Sequence, residues 1–262
     1  MMQLNGKQST LQKVVFEVRY QYGFAYLDKC GRIINAIMRE YPEWMIRSNP
    51  EATSASLASI RTGCTLNFSS QTIQLSIDHV AGGPALSEED TASFTDQIEY
   101  MTALLIDQLG VKDFNRMGFR AWYLFDCKDE LEARTWINSL GYFSISADLE
   151  QAFGGKIENT AAIIFIGGKD RQFRVEVSPV ERSVQIDLGQ EILAVRASAL
   201  PKDQRATLLK QIDVKKRIIA NPAFAVQIDV DVFQEFPLTI NPRDFVETSL
   251  LRIEKGLESS ST

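Results

Sequence analysis

The stretch that decides the fold is NRMGFRAWYLF, Asn115–Phe125. Its aromatic and alternating residues predict a long strand, with Arg116, Gly118, Arg120 and Trp122 on one face. A helix is predicted before it, from Ser87 to Leu109, and another after it, from about Lys128 to Leu140. A long strand between two helices marks a junction. The expectation is an α+β fold of two similar strand-helix-strand units, residues 11–126 and 127–258, with mainly antiparallel sheets and helices on one face.

On the N-terminal side, VVFEVRY (Val14–Tyr20) reads as a strand. Leu27, Cys30, Ile34, Ile37, Met38 and Tyr41 then form one helical stripe that Pro42 ends. Residues 43–47 form a short strand, and 49–60 read as loop or weak helix. Thr65–Phe68 and Thr72–Ile77 form a hairpin around Ser69-Ser70, with Ile73, Leu75 and Ile77 on its apolar face. Ser87 and Asp90 have capping-box spacing, and Phe94, Ile98, Met101, Leu105 and Leu109 give the next helix its stripe before Gly110 stops it.

On the C-terminal side the expected strands are Tyr142–Ser146, Ala161–Ile166, Gln172–Val177, Val184–Leu188 and Ala225–Phe233. Residues 148–158 read as loop, and Pro201 opens a helix to about Ala220 that Asn221-Pro222 breaks. Asn241-Pro242 starts a last helix with Val246, Leu250, Ile253 and Leu257 inside. The two halves echo one another: FEVRY precedes one helix as FRAWY precedes the next, and VSPVERSVQIDL resembles the hairpin NFSSQTIQLSI. The period of roughly 100 residues is too long for a solenoid.

Composition narrows the chemistry. The chain has 262 residues, 45% hydrophobic and 24% charged, ordinary for a globular protein. The net charge of −6 argues against a nucleic-acid partner, whose phosphates call for cations. No apolar run approaches the roughly 20 residues of a membrane span, and Met1–Thr10 lacks a signal-peptide core. The expectation is a cytoplasmic protein whose three cysteines, Cys30, Cys64 and Cys127, are buried reduced thiols.

Catalytic motifs are sparse. His79 is the single histidine, so any Ser-His-Asp or Cys-His machinery depends on it, and no G-x-S-x-G accompanies it. Gly154-Gly155-Lys156 and Gly167-Gly168-Lys169 lack P-loop spacing, and Gly167–Arg171 reads as a hairpin turn. There is no C-x-x-C and no G-x-G-x-x-G, and Glu176 lacks the E-x-K lysine of a nuclease core. No cofactor is expected.

Two constellations remain. Arg19, Arg116, Arg120 and Trp122 form a candidate anion clamp with an aromatic platform; alternatively the arginines pair with Glu17 or Asp229 in a polar seam. Asp229 and Asp231, in IDVDVF, project from one strand face and are candidate metal ligands for phosphotransfer, or else the polar face opposite Ile228, Val230 and Val232.

VVFEVRY, the central R-x-G-x-R (Arg116, Gly118, Arg120) and IDVDVF followed by a terminal helix together resemble a sporadically distributed bacterial family of about this length with no assigned activity. The similarity spans most of the chain in order through short motifs. One departure is Ala121, where the family carries tyrosine; here Tyr123 follows two places on. The resemblance implies a bacterial cytosolic two-unit α+β protein with a stress or defence association, and it supplies no catalytic residue. The expectation is a non-catalytic binding or adaptor protein acting on a protein partner or on itself. A small-anion or nucleotide sensor and a metal-dependent phosphotransfer enzyme are the alternatives.

Overall fold

Alternation of apolar and polar residues builds one sheet here, because every strand that carries it pairs edge to edge with the next. The structure is a computed structural model that describes residues 3–48, 50, 53–59, 61–78, 85–142, 146, 148–155, 157, 160–186 and 216–258. Its strands are β1 (Gln3–Leu4), β2 (Lys7–Tyr20), β3 (Trp44–Ser48), β4 (Ser54–Ser59), β5 (Cys64–Ser69), β6 (Thr72–Asp78), β7 (Phe114–Cys127), β8 (Ala162–Gly167), β9 (Gln172–Ile186) and β10 (Lys216–Glu235). The helices are α1 (Tyr26–Glu40), α2 (Glu88–Leu109), α3 (Glu130–Ser139), α4 (Leu149–Phe153) and α5 (Pro242–Glu258).

The ten strands form a single sheet in the order β3-β4-β5-β6-β2-β7-β10-β9-β8, with β1 paired to β2. Every described pairing is antiparallel. The expected plural sheets are thus one, and the α+β class holds. Two long strands, β2 and β7, lie side by side at its centre, with Glu17 opposite Gly118 and Val15 opposite Arg120. Asp231 lies opposite Arg120 from the other side, on β10.

One face of this sheet is apolar. Val14, Phe16 and Val18 of β2, Phe119, Ala121 and Phe125 of β7, and Val226, Ile228 and Val232 of β10 join a single core with Ile33 and Ile37 of α1, Phe94, Ile98 and Met101 of α2, Ile137 of α3 and Phe245 and Ile253 of α5. Helices α1, α2, α3 and α5 therefore pack on that face and leave the other uncovered by them. The Ser87–Asp90 capping box forms, and Gly110 closes α2 at φ 66°, a left-handed conformation suited to glycine.

Several expectations fail for identifiable reasons. Residues 54–59 form β4 rather than loop or weak helix: SASLAS is poor in strand-forming residues, but Ala55 and Leu57 are buried alternately between β3 and β5. Gln172–Ile186 is one strand, so VSPVERSVQI is no hairpin; β8 pairs no further than Val177, leaving Pro179 where β9 has only β10 as a described neighbour. Residues 216–220 belong to β10 and not to a helix. The Asn221-Pro222 pair lies inside a register shift between Ile219 and Phe224, where a missing N–H interrupts no ladder bond. The rest of that expected helix, and residues 143–145 of the expected strand 142–146, lie outside the described residues. Residues 149–153 are a short helix instead of loop. Leu27 and Met38 point to solvent, because the buried stripe of α1 runs through Tyr26, Cys30, Ile33, Ile34 and Ile37. At the start of the chain, Asn5-Gly6 turns β1 into β2 with both residues at positive φ, a two-residue hairpin.

Candidate functional site

The uncovered face of β2, β7 and β10 brings together all six singled-out residues. Arg116 sits two residues before Gly118, and its side chain lies along the strand over that glycine. A Cβ built on Gly118 would stand 2.7 Å from Arg116 Nη1 and 3.0 Å from Cζ. The missing side chain makes room for the guanidinium to reach sideways to both neighbouring strands. Nη1 donates to Glu17 Oε1 at 2.8 Å on β2, and Nη2 donates to Asp231 Oδ1 and Oδ2 at 2.9 and 2.7 Å on β10. The same guanidinium lies 4.7 Å from the centre of the Phe233 ring. The R-x-G spacing therefore has a steric cause.

Arg120 repeats the device one step along. Its Nε donates to Asp229 Oδ1 at 2.7 Å, and Nη2 makes a second, short bond to Oδ2. This two-pronged pairing raises the Arg120 pKa further above its ordinary value. The Asp229 side chain is only 3% exposed although it belongs to the polar face, because Arg120 closes over it. Asp231 differs: burial pushes its carboxyl above the usual range, and the nearby Arg116 only partly pulls it back.

Trp122 is not a free platform. Lys13 Nζ stands 4.4 Å and Arg120 Cζ 5.2 Å from its ring centre. Lys13 also pairs with Asp78 at 2.7 Å, Arg19 Nε with Glu17 at 2.7 Å, and Arg174 with Glu176. These ion pairs join five cations (Lys13, Arg19, Arg116, Arg120, Arg174) to five carboxylates (Glu17, Asp78, Asp229, Asp231, Glu176). The group is electrically balanced, so it offers no net attraction to a polyanion.

The arginine and aspartate strands, read separately in the sequence, thus meet in one network. Glu17 and Asp229 were foreseeable partners from alternation alone. Lys13, Arg174 and Phe233 were not, since their roles depend on which strands become neighbours. Asp229 and Asp231 each hold an arginine, and among the described residues no group of three or more His, Cys, Asp or Glu side chains is placed to hold a metal ion. His79 lies outside the described residues. Cys30, Cys64 and Cys127 are all buried and unpaired with one another, and burial pushes the Cys64 thiol up to about 11.

No family model matches the chain. A human protein described as putative phosphatidylinositol 4-kinase alpha-like protein P2 is 23% identical over 186 residues, 70% of this chain and 27% of that protein. The chain therefore spans about a quarter of the length of that curated relative. Among the described residues, no helix is long and apolar enough to cross a membrane.

Proposed function

We propose that this chain is a non-catalytic binding protein of the adaptor kind, acting through a protein partner or a second copy of itself. The observation that carries this reading is the pairing of Arg116 with Glu17 and Asp231 and of Arg120 with Asp229, on the sheet face opposite the core that α1, α2, α3 and α5 share. Groups that would serve acid-base or metal chemistry hold the sheet together instead, and the face they stabilise is presented outward. The reading includes two similar units, 11–126 and 127–258, joined where β7 of the first pairs with β10 of the second. Its support is the order of strands, which runs outward through β6, β5 and β4 on one side and through β10, β9 and β8 on the other. A helix follows β2, β6, β7 and β10 alike. A bacterial cytosolic setting, in stress or defence, rests on the motif resemblance alone.

The likeness to a kinase-like human protein favours phosphotransfer as a second reading. It covers a quarter of that protein, and Asp229 and Asp231 would each have to leave an arginine before binding a cation. Native mass spectrometry of the protein purified gently from its host tests the proposal. A stoichiometric second protein, or a homo-oligomer, is expected. A monomer carrying a small ligand or metal ion that is lost on denaturation would overturn the adaptor reading.

A further inference from the structure

The loop from β2 to α1, residues 21–25, is pinned from several sides. Tyr20 N donates to Gln71 O at 3.0 Å, Gln21 N to Asp113 O at 3.1 Å, and Tyr26 N to Gly23 O at 3.0 Å. The Gln21 amide nitrogen donates to Asn115 Oδ1 at 3.0 Å. Gly23 passes so close to the β5–β6 turn that a Cβ there would meet Ser70 O at 2.6 Å. This rigid loop holds two aromatic side chains in solvent: Tyr22 is 68% exposed and Phe24 72% exposed. Their rings lie 6.3 Å apart at 49°. Tyr22 also adopts φ 65°, a left-handed conformation that is costly for a bulky residue. Folding gains nothing from an exposed, strained tyrosine where glycine or asparagine would fit, and such strain concentrates at functional sites.

Arg19 borders the same loop. Its Nε is engaged by Glu17 Oε1, an oxygen that Arg116 already shares. Among the described residues its two terminal amino groups donate to nothing, and the side chain is 53% exposed. Beside it opens a cleft of about 560 Å³, bordered by Arg19, Tyr22, Phe24, Gln71 and Asn115, and by Glu17, whose carboxylate is held by Arg19 and Arg116. Small-molecule sites have volumes of this order.

We propose that this cleft binds a small anion that carries a planar ring. The ring lies against Tyr22 and Phe24, and the anionic oxygens take the two terminal amino groups of Arg19. Nucleoside monophosphates and aromatic carboxylates share that chemistry. The site goes beyond the adaptor reading: Arg19 touches the ion-pair network only through its Nε and Glu17, and its terminal amino groups are what the anion takes.

The test is calorimetric titration of the full chain with adenosine and guanosine monophosphates, with salicylate, and with inorganic phosphate. A ring-bearing anion is expected to saturate the site at least about tenfold more tightly than phosphate alone. Binding of the nucleotides only, or of salicylate only, supports the proposal and assigns the source. Absence of saturable binding by every ring-bearing probe, or phosphate binding equally tightly, overturns it. Two variants separate binding from folding. Arg19→Gln should keep the fold and weaken binding about tenfold or more. Tyr22→Gly should raise the melting temperature, because glycine accepts the backbone angle, while weakening binding about tenfold. A Tyr22→Gly protein that is more stable yet binds as tightly as the wild type would overturn the assignment.

Discussion

Replacing Gly118 by alanine puts a methyl group where the Arg116 guanidinium now lies, 2.7 Å from Nη1, 3.0 Å from Cζ and 3.2 Å from Nη2. Ordinary contacts begin several tenths of an ångström further out, so the guanidinium has to lift off the strand. It is tethered by three bonds of 2.7 to 2.9 Å to Glu17 and Asp231, and lifting it loses the equivalent of one of them. A hydrogen bond to a charged group contributes about 1.5–3 kcal/mol, while exchanging glycine for alanine inside a strand returns roughly 0.5–1 kcal/mol. The net expectation is a destabilisation of about 1–2 kcal/mol. Urea unfolding of Gly118→Ala measures it, and a cycle with Arg116→Met isolates the cause. In the methionine background the alanine meets no guanidinium, so the same change should be neutral or stabilising by up to about 1 kcal/mol. An alanine that costs the same in both backgrounds would refute the steric account of the R-x-G spacing.

Three further outcomes follow from the geometry. Arg171 is buried at the β8–β9 turn, donates to Phe245 O at 3.2 Å and Ser249 Oγ at 3.0 Å, and stacks on the Phe245 ring; Arg171→Met should lower stability by about 2 kcal/mol in urea unfolding and loosen the start of α5 in hydrogen exchange. The Asp231 pKa is raised in the fold from its ordinary 3.8, so the folded state binds more protons than the unfolded chain just above that value. Stability at this site therefore rises as pH falls through that window, and melting curves should show wild type gaining on Asp231→Asn on acidification; the opposite trend would show that Arg116 outweighs burial. Cys64, buried with its thiol pushed up to about 11, should resist a disulfide exchange reagent at neutral pH until the chain unfolds, and rapid native labelling of Cys64 would contradict its placement.

Local chemistry was legible in the sequence wherever a side chain decides its own backbone. Ser87 and Asp90 cap α2, Gly110 ends it, and Phe94, Ile98, Met101 and Leu105 face inward as the helical period requires. Ile73, Leu75 and Ile77 are buried on alternate positions of β6. Where neighbours decide, the reading failed. Ser54–Ser59 has too little β-branched or aromatic character to announce a strand and is one because β3 and β5 flank it. In β9 and β10 prolines that suggest breaks are absorbed where β9 has a described neighbour on one side only and in a register shift. The same limit governed the site. Alternation placed Arg116, Arg120, Asp229 and Asp231 on polar faces, but only the pairing of β7 with β10 sets Arg120 opposite Asp231 and leaves Arg116 to reach Asp231 across 115 residues of sequence. The exposed pair Tyr22 and Phe24 carried no periodic signal, since its meaning lies in a backbone angle and a close approach at Gly23.

On this sheet face the charges of Arg116, Arg120, Glu17, Asp229 and Asp231 are committed to one another, and the Arg120–Asp229 pair tests that most directly. Urea unfolding of Arg120→Gln, Asp229→Asn and the double variant gives their coupling free energy. A coupling of about 1.5 kcal/mol is predicted, with each single variant destabilised and the double variant little worse than either. A coupling below about 0.3 kcal/mol would contradict the account, because two residues that stabilise nothing together are free to serve a ligand.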